Sequence, residues 1–325
     1  MMKIQKNILL ASYTTFKIGG PAKFFCEAKD EDEIVEALKF AREKNLPVFV
    51  LGGGSNVLVS DKGFDGLVIK ISNSAWKFDF LNGSSTSLIK CGAGCPLGKI
   101  VSESVKAGFA GLEWAAGIPG TVGGAVRGNA GAFNSSMSEI IESVRALEIL
   151  NSKSEALNNF KFQISNFKTK DCEFDYRNSI FKKKPSLIIL SATLKLKKGD
   201  RAESEKKVKE ILAKRKEMQP TDFPSPGSYF KNPVAKDKKL IRQFETDTGN
   251  KVKDNKIPAP YLIEECGLKG KKIGGAMVSE KHANFIVNTG NATAEDVVML
   301  AAVIKTKVRD KFGIQLQEEA QMVGF

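Results

Sequence analysis

Residues 117–133 read GIPGTVGGAVRGNAGAF, six glycines in 17 positions. With its flanks, 114–138, this stretch carries a single charged side chain, Arg127, in a chain whose overall charged content is 27%. Glycine lets a backbone adopt positive φ and approach another group closely, at an entropic cost that a free loop does not recover. A segment with so few side chains cannot build a core of its own. Two readings remain: a glycine-rich turn laid over a core made elsewhere, or backbone laid against a ligand.

A second segment of the same kind, LGGGSNVLV, occupies residues 51–59. It follows the strand-like run PVFVL, and its exposed N–H groups could form an anion-binding nest. A tight turn between two strands fits it equally well. It is not a Walker loop, because no Gly-Lys-Ser/Thr follows. Nor is it the GxGxxG dinucleotide fingerprint, because the next run, VLVS, is strand-like rather than helical. Two nearly uncharged glycine segments in one chain favour backbone wrapped around a large flat or phosphorylated ligand.

The surrounding pattern is mixed helix and strand. Asp30 with Glu33 forms a capping signature, and Ile34, Ala37, Leu38 and Ala41 recur at helical spacing. Strand-like GLVIKI and SLIKCGAG follow, the latter leading into a helix from about 96 to 106 that Gly108 stops. Residues 141–198 alternate strand-like runs with polar turns, and a charged helix over about 203–218 ends at Gln219-Pro220. TDFPSPGSYFKNP, with three prolines, reads as an ordered loop or domain junction. A last helix opens at Thr293 with Asp296 three residues on and closes at Gly313. A final strand is expected over 314–324. No internal repeat or low-complexity region interrupts the pattern.

At 325 residues the chain has room for two domains. No run approaches the ~20 apolar residues of a membrane-spanning helix, and the apolar piece near the N-terminus is too short for a signal peptide; a cytoplasmic protein with no membrane partner is expected. The five cysteines show no CxxC, and the chain has one histidine, His282; no zinc ligand set assembles from them. The net charge of +13 is spread evenly, with 27 basic and 20 acidic residues in 1–200 and 23 and 17 in 201–325. That spread suits small polyanions better than a nucleic-acid face, which gathers its charge into a stripe.

Three further motifs bear chemistry. CEFDYRNSIF (172–181) sets Arg177 beside Tyr176, and arginine grips a carboxylate or developing oxyanion with two parallel N–H bonds. Without further context it reads more readily as an ordinary surface arginine. PGSYFKNP (226–233) holds Ser228 in a proline-stiffened loop. Without a GxSxG elbow, and with His282 alone to serve as a base, a hydrolase is disfavoured against a proton donor or a simple turn-former. Glu319, in LQEEAQMVG, is in isolation a solvent-facing acid. His282, in VSEKHANF, reads as structural.

Taken in order, these pieces resemble the UDP-N-acetylenolpyruvoylglucosamine reductase (MurB) family over nearly the whole chain. The resemblance runs through TTFKIGGPAKF (14–24), LGGGSNVLVSDKGFDGLVI (51–69), AGFAGLEWAAGIPGTVGGAVRGNAGAF (107–133) and YRNSIF (176–181). It continues through QPTDFPSPGSYFKNP (219–233), LIEECGLKGKKIGGAMVSEKHANFIVN (262–288) and FGIQLQEEAQMVG (312–324). It implies an α+β fold: a PCMH-type FAD-binding domain over 1–200, in subdomains of about 1–72 and 73–200, followed by a smaller α+β substrate-binding domain over 201–325.

The resemblance also implies FAD and NADPH as cofactors and UDP-N-acetylenolpyruvoylglucosamine as substrate, with hydride passing from flavin N5 to the vinyl CH2 carbon. Carried over residue by residue, it places Gly52, Gly53, Gly54, Ser55, Asn56, Ile118, Pro119, Gly120, Thr121, Gly123, Gly124, Ala125 and Asn129 at the cofactor. Arg177 would stabilise the developing charge, Ser228 would protonate the carbanion, and Glu319 would complete the polar site. Tyr176, Lys231 and Asn232 would contact substrate. No metal is implied, and a monomer is expected. Gln321 departs from the pattern, standing where many members carry a basic residue.

Overall fold

A computed structural model describes residues 2–80, 85–150 and 161–325. The chain sorts into two compact units, each discontinuous in sequence. The first gathers Met1–Lys6, Phe24–Gly53 and Asp65–Arg215; the second gathers Asn7–Lys23, Gly54–Phe64 and Lys216–Phe325. Where the sequence suggests one junction after residue 200, packing draws its lines after residues 6, 23, 53, 64 and 215.

In the first unit, α1 (Glu31–Glu43) starts where the Asp30 carboxylate accepts the Glu33 N–H at 2.9 Å. Glu33 accepts in return from Lys29, one residue before the cap. Ile34, Ala37, Leu38 and Ala41 are its buried face, as their spacing requires. They pack with Leu67 and Ile69 of the strand Phe64–Ile71, which pairs in parallel with Val48–Leu51. The larger sheet is antiparallel, in the order Lys161–Lys168, Ile141–Leu150, Leu187–Lys198, Thr86–Gly92, Trp76–Phe80. Along Leu187–Lys198, Ala192, Leu194 and Leu196 face the core while Lys195 and Lys197 face away, the two-residue alternation of a half-buried strand. The polar turn expected within 141–198 falls at 151–160, outside the described residues.

Four more α-helices lie wholly or mostly in this unit. They are α2 (Leu97–Lys106), α3 (Val122–Arg127), α4 (Ile180–Lys183) and α5 (Arg201–Met218). α5 has charged side chains nearly all round, and Ser204 is its one buried residue. Ser204 donates to Glu113 at 2.7 Å, and the other Glu113 oxygen accepts the Gly111 N–H at 2.7 Å. A buried carboxylate is thus satisfied on both oxygens, as burial demands.

The second unit holds α6 (Lys238–Thr248), α7 (Ala259–Glu265) and α8 (Ala294–Phe312). α8 begins with the expected capping box of Thr293 and Asp296 and ends at Gly313, φ 66°. α6 and α7 leave little trace in the sequence. α6 buries only Leu240 and Phe244, and α7 is seven residues held between Pro258 and Gly267, too few turns for periodicity to register. Three short antiparallel strands, Lys272–Ile273, Ala276–Val278 and Ile286–Asn288, lie beside them in sequence and form one sheet. The strand expected over 314–324 is regular only at Gln321–Val323, which runs parallel to Val57–Val59 with Gln321 opposite Val57. Residues 317–319 instead pair singly with 229–231, so no continuous ladder forms. Among the described residues, no helix is long and apolar enough to cross a membrane. No group of three or more His, Cys, Asp or Glu side chains there could hold a metal ion.

Candidate functional site

In the first unit the two glycine segments meet backbone to backbone. A Cβ on Gly53 would lie 2.6 Å from the Gly120 Cα, closer than any real side chain sits, so glycine is required for the approach itself. On Gly52 it would lie 2.8 Å from the Thr121 hydroxyl oxygen. That hydroxyl accepts the Gly124 N–H and caps α3. Behind the loop, Leu97 donates to Gly120 O, Val122 to Cys95 O and Gly123 to Ala93 O, at 3.1, 2.8 and 2.8 Å. Thr121, Val122, Gly123 and Ala125 are buried and Ile118 half-buried, whereas Gly53, Pro119 and Gly124 are exposed. The outward face is therefore backbone with almost no side chain.

The YRNS motif is fastened to this segment. Asp175 and Asn178 exchange both backbone hydrogen bonds at 3.1 Å, leaving Tyr176 and Arg177 at the tip of a two-residue turn. Arg177 takes a left-handed φ of 54°, a costly conformation for a non-glycine residue and one that clusters at functional sites. Its Nη2 donates to Gly131 O at 2.8 Å, and its guanidinium lies 5.2 Å over the Tyr176 ring. Ser179 donates to Arg127 O at 2.7 Å. Asn129, expected at the cofactor, places its side-chain amide elsewhere: Nδ2 donates to Asp175 O and Oδ1 accepts from Ser138 N, both at 3.0 Å. It is a strut that sets the position of the Arg177 turn.

The remaining expected residues lie in the second unit. Gly54 has a φ of 65°, and a Cβ there would run into the Tyr13 carbonyl. Its own carbonyl accepts the Thr15 N–H, while the Thr15 hydroxyl donates to Ser225 O at 2.8 Å. Thr15 thereby ties the segment that holds Ser55 to the loop that holds Ser228. Asn56 donates to the Glu319 carbonyl at 3.2 Å and accepts from Gln321 N at 3.0 Å.

Ser228 begins a short extended run flanked on both sides. Tyr229 N and Phe230 N donate to the backbone and side-chain oxygens of Asn284, at 2.8 and 2.9 Å, and Asn284 Nδ2 donates back to Phe230 O at 2.8 Å. On the other side Glu319 N donates to Tyr229 O at 2.7 Å and Lys231 N to Gln317 O at 2.9 Å. Tyr229 and Phe230 are each 1% exposed, so Ser228 and Lys231, half-buried, are the residues at the ends of an anchored pair. Burial, with Glu318 adding to it, pushes the Tyr229 phenol well above its usual range. Of the two neighbouring acids, Glu318 pairs with Lys305 at 2.8 Å. Asn232 accepts the first N–H of α7, from Ala259, at 2.9 Å.

The structure thus brings Arg177, Tyr176 and Asn129 together with the 117–131 segment, and Ser228, Lys231 and Glu319 together with Asn56. Thr15 and Asn284 were passed over in the sequence. For Asn284 a signal was present: an asparagine set among Ala283, Phe285, Ile286 and Val287, where a polar group survives burial only if its bonds are made.

His282 gives this region a pH dependence. Burial pushes its imidazole below the ordinary value, with smaller opposing contributions from its own backbone and Glu264, and Nδ1 accepts the Asn284 N–H. The fold therefore favours the neutral ring. Its contribution is complete above the unfolded value of about 6.5 and is lost as pH falls toward and through the depressed folded value. Thermal unfolding midpoints should drop on mild acidification more steeply in the native protein than in His282→Gln, which keeps an acceptor that does not titrate. Equal slopes would remove His282 as the cause.

Residues 22–158 match the family described as FAD binding domain, and residues 219–323 match UDP-N-acetylenolpyruvoylglucosamine reductase, C-terminal domain. The first match, with the mixed helix and strand content, defines the class: a PCMH-type FAD-binding oxidoreductase of α+β build. UDP-N-acetylenolpyruvoylglucosamine reductases from Caldanaerobacter subterraneus and Anoxybacillus flavithermus are 38% and 40% identical, each over 99% of this chain and 94% of the relative. The crystal structure of the Thermus caldophilus UDP-N-acetylenolpyruvylglucosamine reductase (MurB) is 33% identical, covers 99% of this chain and 100% of its own, and superposes with a TM-score of 0.73. The chain belongs to the UDP-N-acetylenolpyruvoylglucosamine reductase family.

The residues present fit FAD. The outward face of the paired glycine loops is the kind of surface on which a flat, phosphorylated group can lie against backbone, and any Cβ at Gly53 would force the two loops apart.

Proposed function

We propose that this chain is the NADPH-dependent, FAD-containing enzyme that reduces the enolpyruvyl ether of UDP-N-acetylglucosamine to UDP-N-acetylmuramate, a step in peptidoglycan precursor synthesis. The observation that carries the site assignment is the anchored Ser228–Lys231 run, bonded directly to the backbone of Glu319. Residues 1–200 supply the cofactor-binding residues together with Tyr176 and Arg177 of the substrate site, and 201–325 supply Ser228, Lys231, Asn232 and Glu319. The protein works in the cytoplasm as a monomer and binds neither nucleic acid nor membrane.

FAD, when bound, supplies the hydride chemistry, taking hydride from NADPH and giving it to the vinyl CH2 carbon of the sugar ether. Gly52, Gly53, Gly54, Ser55 and Asn56 would hold it together with the 118–125 backbone. The π pair of the double bond moves to the neighbouring carbon and into the substrate carboxylate. Arg177, fixed by Gly131 and by the tight turn behind it, meets that charge with its planar guanidinium, an interaction stronger in the transition state than in the ground state. Ser228 Oγ passes its proton to the carbon, and solvent restores the hydroxyl. Serine is a weak acid, but a carbanion is a strong base and needs only a well-placed proton. Glu319 completes the polar site, and Tyr176, Lys231 and Asn232 contact the substrate.

The test is anaerobic. The purified protein should be yellow, or turn yellow on reconstitution with FAD; NADPH should bleach it, and the enolpyruvyl sugar should restore the colour with one equivalent of product. A protein that stays colourless with FAD, or a bleached one that the sugar does not reoxidise, would defeat the proposal.

A further inference from the structure

The HANF motif has no assigned role, and its asparagine makes contacts that a mere core residue does not need. Asn284 is 2% exposed. Its Oδ1 accepts the Phe230 N–H at 2.9 Å, and its Nδ2 donates to the Phe230 carbonyl at 2.8 Å. Its own carbonyl takes the Tyr229 N–H at 2.8 Å. A side-chain amide engaging both the N–H and the C=O of one residue imitates a neighbouring strand, and it fixes rotation of that residue as well as its place. Ser228 lies two residues upstream and joins Phe285 in a single bridge. Gly227, at φ 82°, turns the chain immediately before it. Residues 284 and 285 therefore hold the backbone on which the serine sits.

We propose that Asn284 is a positioning residue for proton delivery, acting through the Phe230 peptide to hold Ser228 Oγ in line with the carbon it protonates; this rests on the proton-donor reading of Ser228. The side chain has two separable halves, an acceptor for Phe230 N and a donor for Phe230 O. Alanine would leave both buried backbone groups unpaired. Aspartate keeps the acceptor and, as the anion, sets negative charge against the Phe230 carbonyl. Protonated, it regains a donor and becomes close to an isostere of the amide. Burial raises such a carboxyl, so the neutral form is reached on mild acidification. The titratable and charged groups around this point are His282, whose Nδ1 takes the Asn284 N–H, Tyr229, and the Glu318–Lys305 pair and Glu319 on the opposite flank.

The experiment measures N284D and the native enzyme by stopped flow in both half-reactions across pH, each variant rate being divided by the native rate at the same pH so that the surrounding groups cancel. At alkaline pH, flavin reduction by NADPH should stay within about twofold of native. Reoxidation by the enolpyruvyl sugar should be slower by about 10²-fold, the cost of a misplacement on the order of 1 Å. On acidification the reoxidation deficit should close. Amide hydrogen exchange at Phe230, read without substrate, should be faster in N284D at alkaline pH and return toward native in acid. If N284D does not retain flavin at alkaline pH, the same two rates and the same exchange measurement in Asn284→Ser decide, with a selective reoxidation deficit expected.

Equal slowing of both halves, a pH-independent deficit in N284D, or native reoxidation at alkaline pH would each overturn the proposal. Ser228→Ala, measured alongside, separates the two readings. If it reoxidises at the native rate, the proton-donor reading falls; if it is slow while the Asn284 variants are not, only the positioning role falls.

Discussion

Ser228→Ala is expected to split the catalytic cycle. NADPH should bleach the flavin at close to the native rate, because nothing in that half calls on the serine. Reoxidation by the enolpyruvyl sugar should slow by about 10²–10⁴-fold, the usual contribution of a positioned proton donor. Folding should be unaffected, since the anchoring of this loop runs through backbone groups of residues 229–231 and the Asn284 amide rather than through the Ser228 hydroxyl. Stopped-flow absorbance of the flavin band in each half-reaction reads the outcome directly. Equal slowing of both halves, or of neither, would take the proton from some other group. Tyr229 is a poor candidate for that group, since its side chain is buried in the apolar cluster at 1% exposure.

Arg177→Lys should act on the same half for a different reason. The substitution keeps a positive charge and a long stem but replaces a planar fork with a point donor. Native Arg177 is held by Nη2 on Gly131 O, with its guanidinium 5.2 Å over the Tyr176 ring, on a backbone at φ 54°. Lysine keeps neither the fork nor the planar group. Reoxidation should fall by about 10²–10³-fold, comparable with the loss of one preorganised donor at a developing oxyanion, with a smaller change in substrate affinity. An unchanged reoxidation rate would mean that charge alone suffices, or that the arginine serves only its turn.

Much of the fold could be read along the chain wherever an element announces itself locally. The caps of α1 and α8, the buried stripe of α1, and the strands ending at Leu51 and Gly92 are of this kind. What local pattern does not carry is partnership at a distance. Asn56 and Glu319 meet across 263 positions of sequence, and Asn284 meets Phe230 across 54. Neither pair leaves a periodicity. The run over 314–320 looks like a strand because its composition suits one, yet its partners bond to it singly, and of the expected residues only Gln321–Val323 form a ladder. The glycine segment shows the same limit. Its poverty in side chains was plain, but which residues face outward and which brace the fold was not. Asn129 and Thr121 brace it; Gly53, Pro119 and Gly124 face out.

The discontinuity of the two units bears on how such a chain is made. Phe16, Ile18 and Leu58 belong to the same apolar cluster as α8, and Val57–Val59 finds its parallel partner only at Gln321–Val323. On the ribosome these early pieces emerge long before the residues that cover them, and Val57–Val59 stays without its ladder until Gln321–Val323 has been made. The amino-terminal region is thus committed to a prolonged interval of exposed hydrophobic surface during translation, when nascent polypeptides depend most on chaperones.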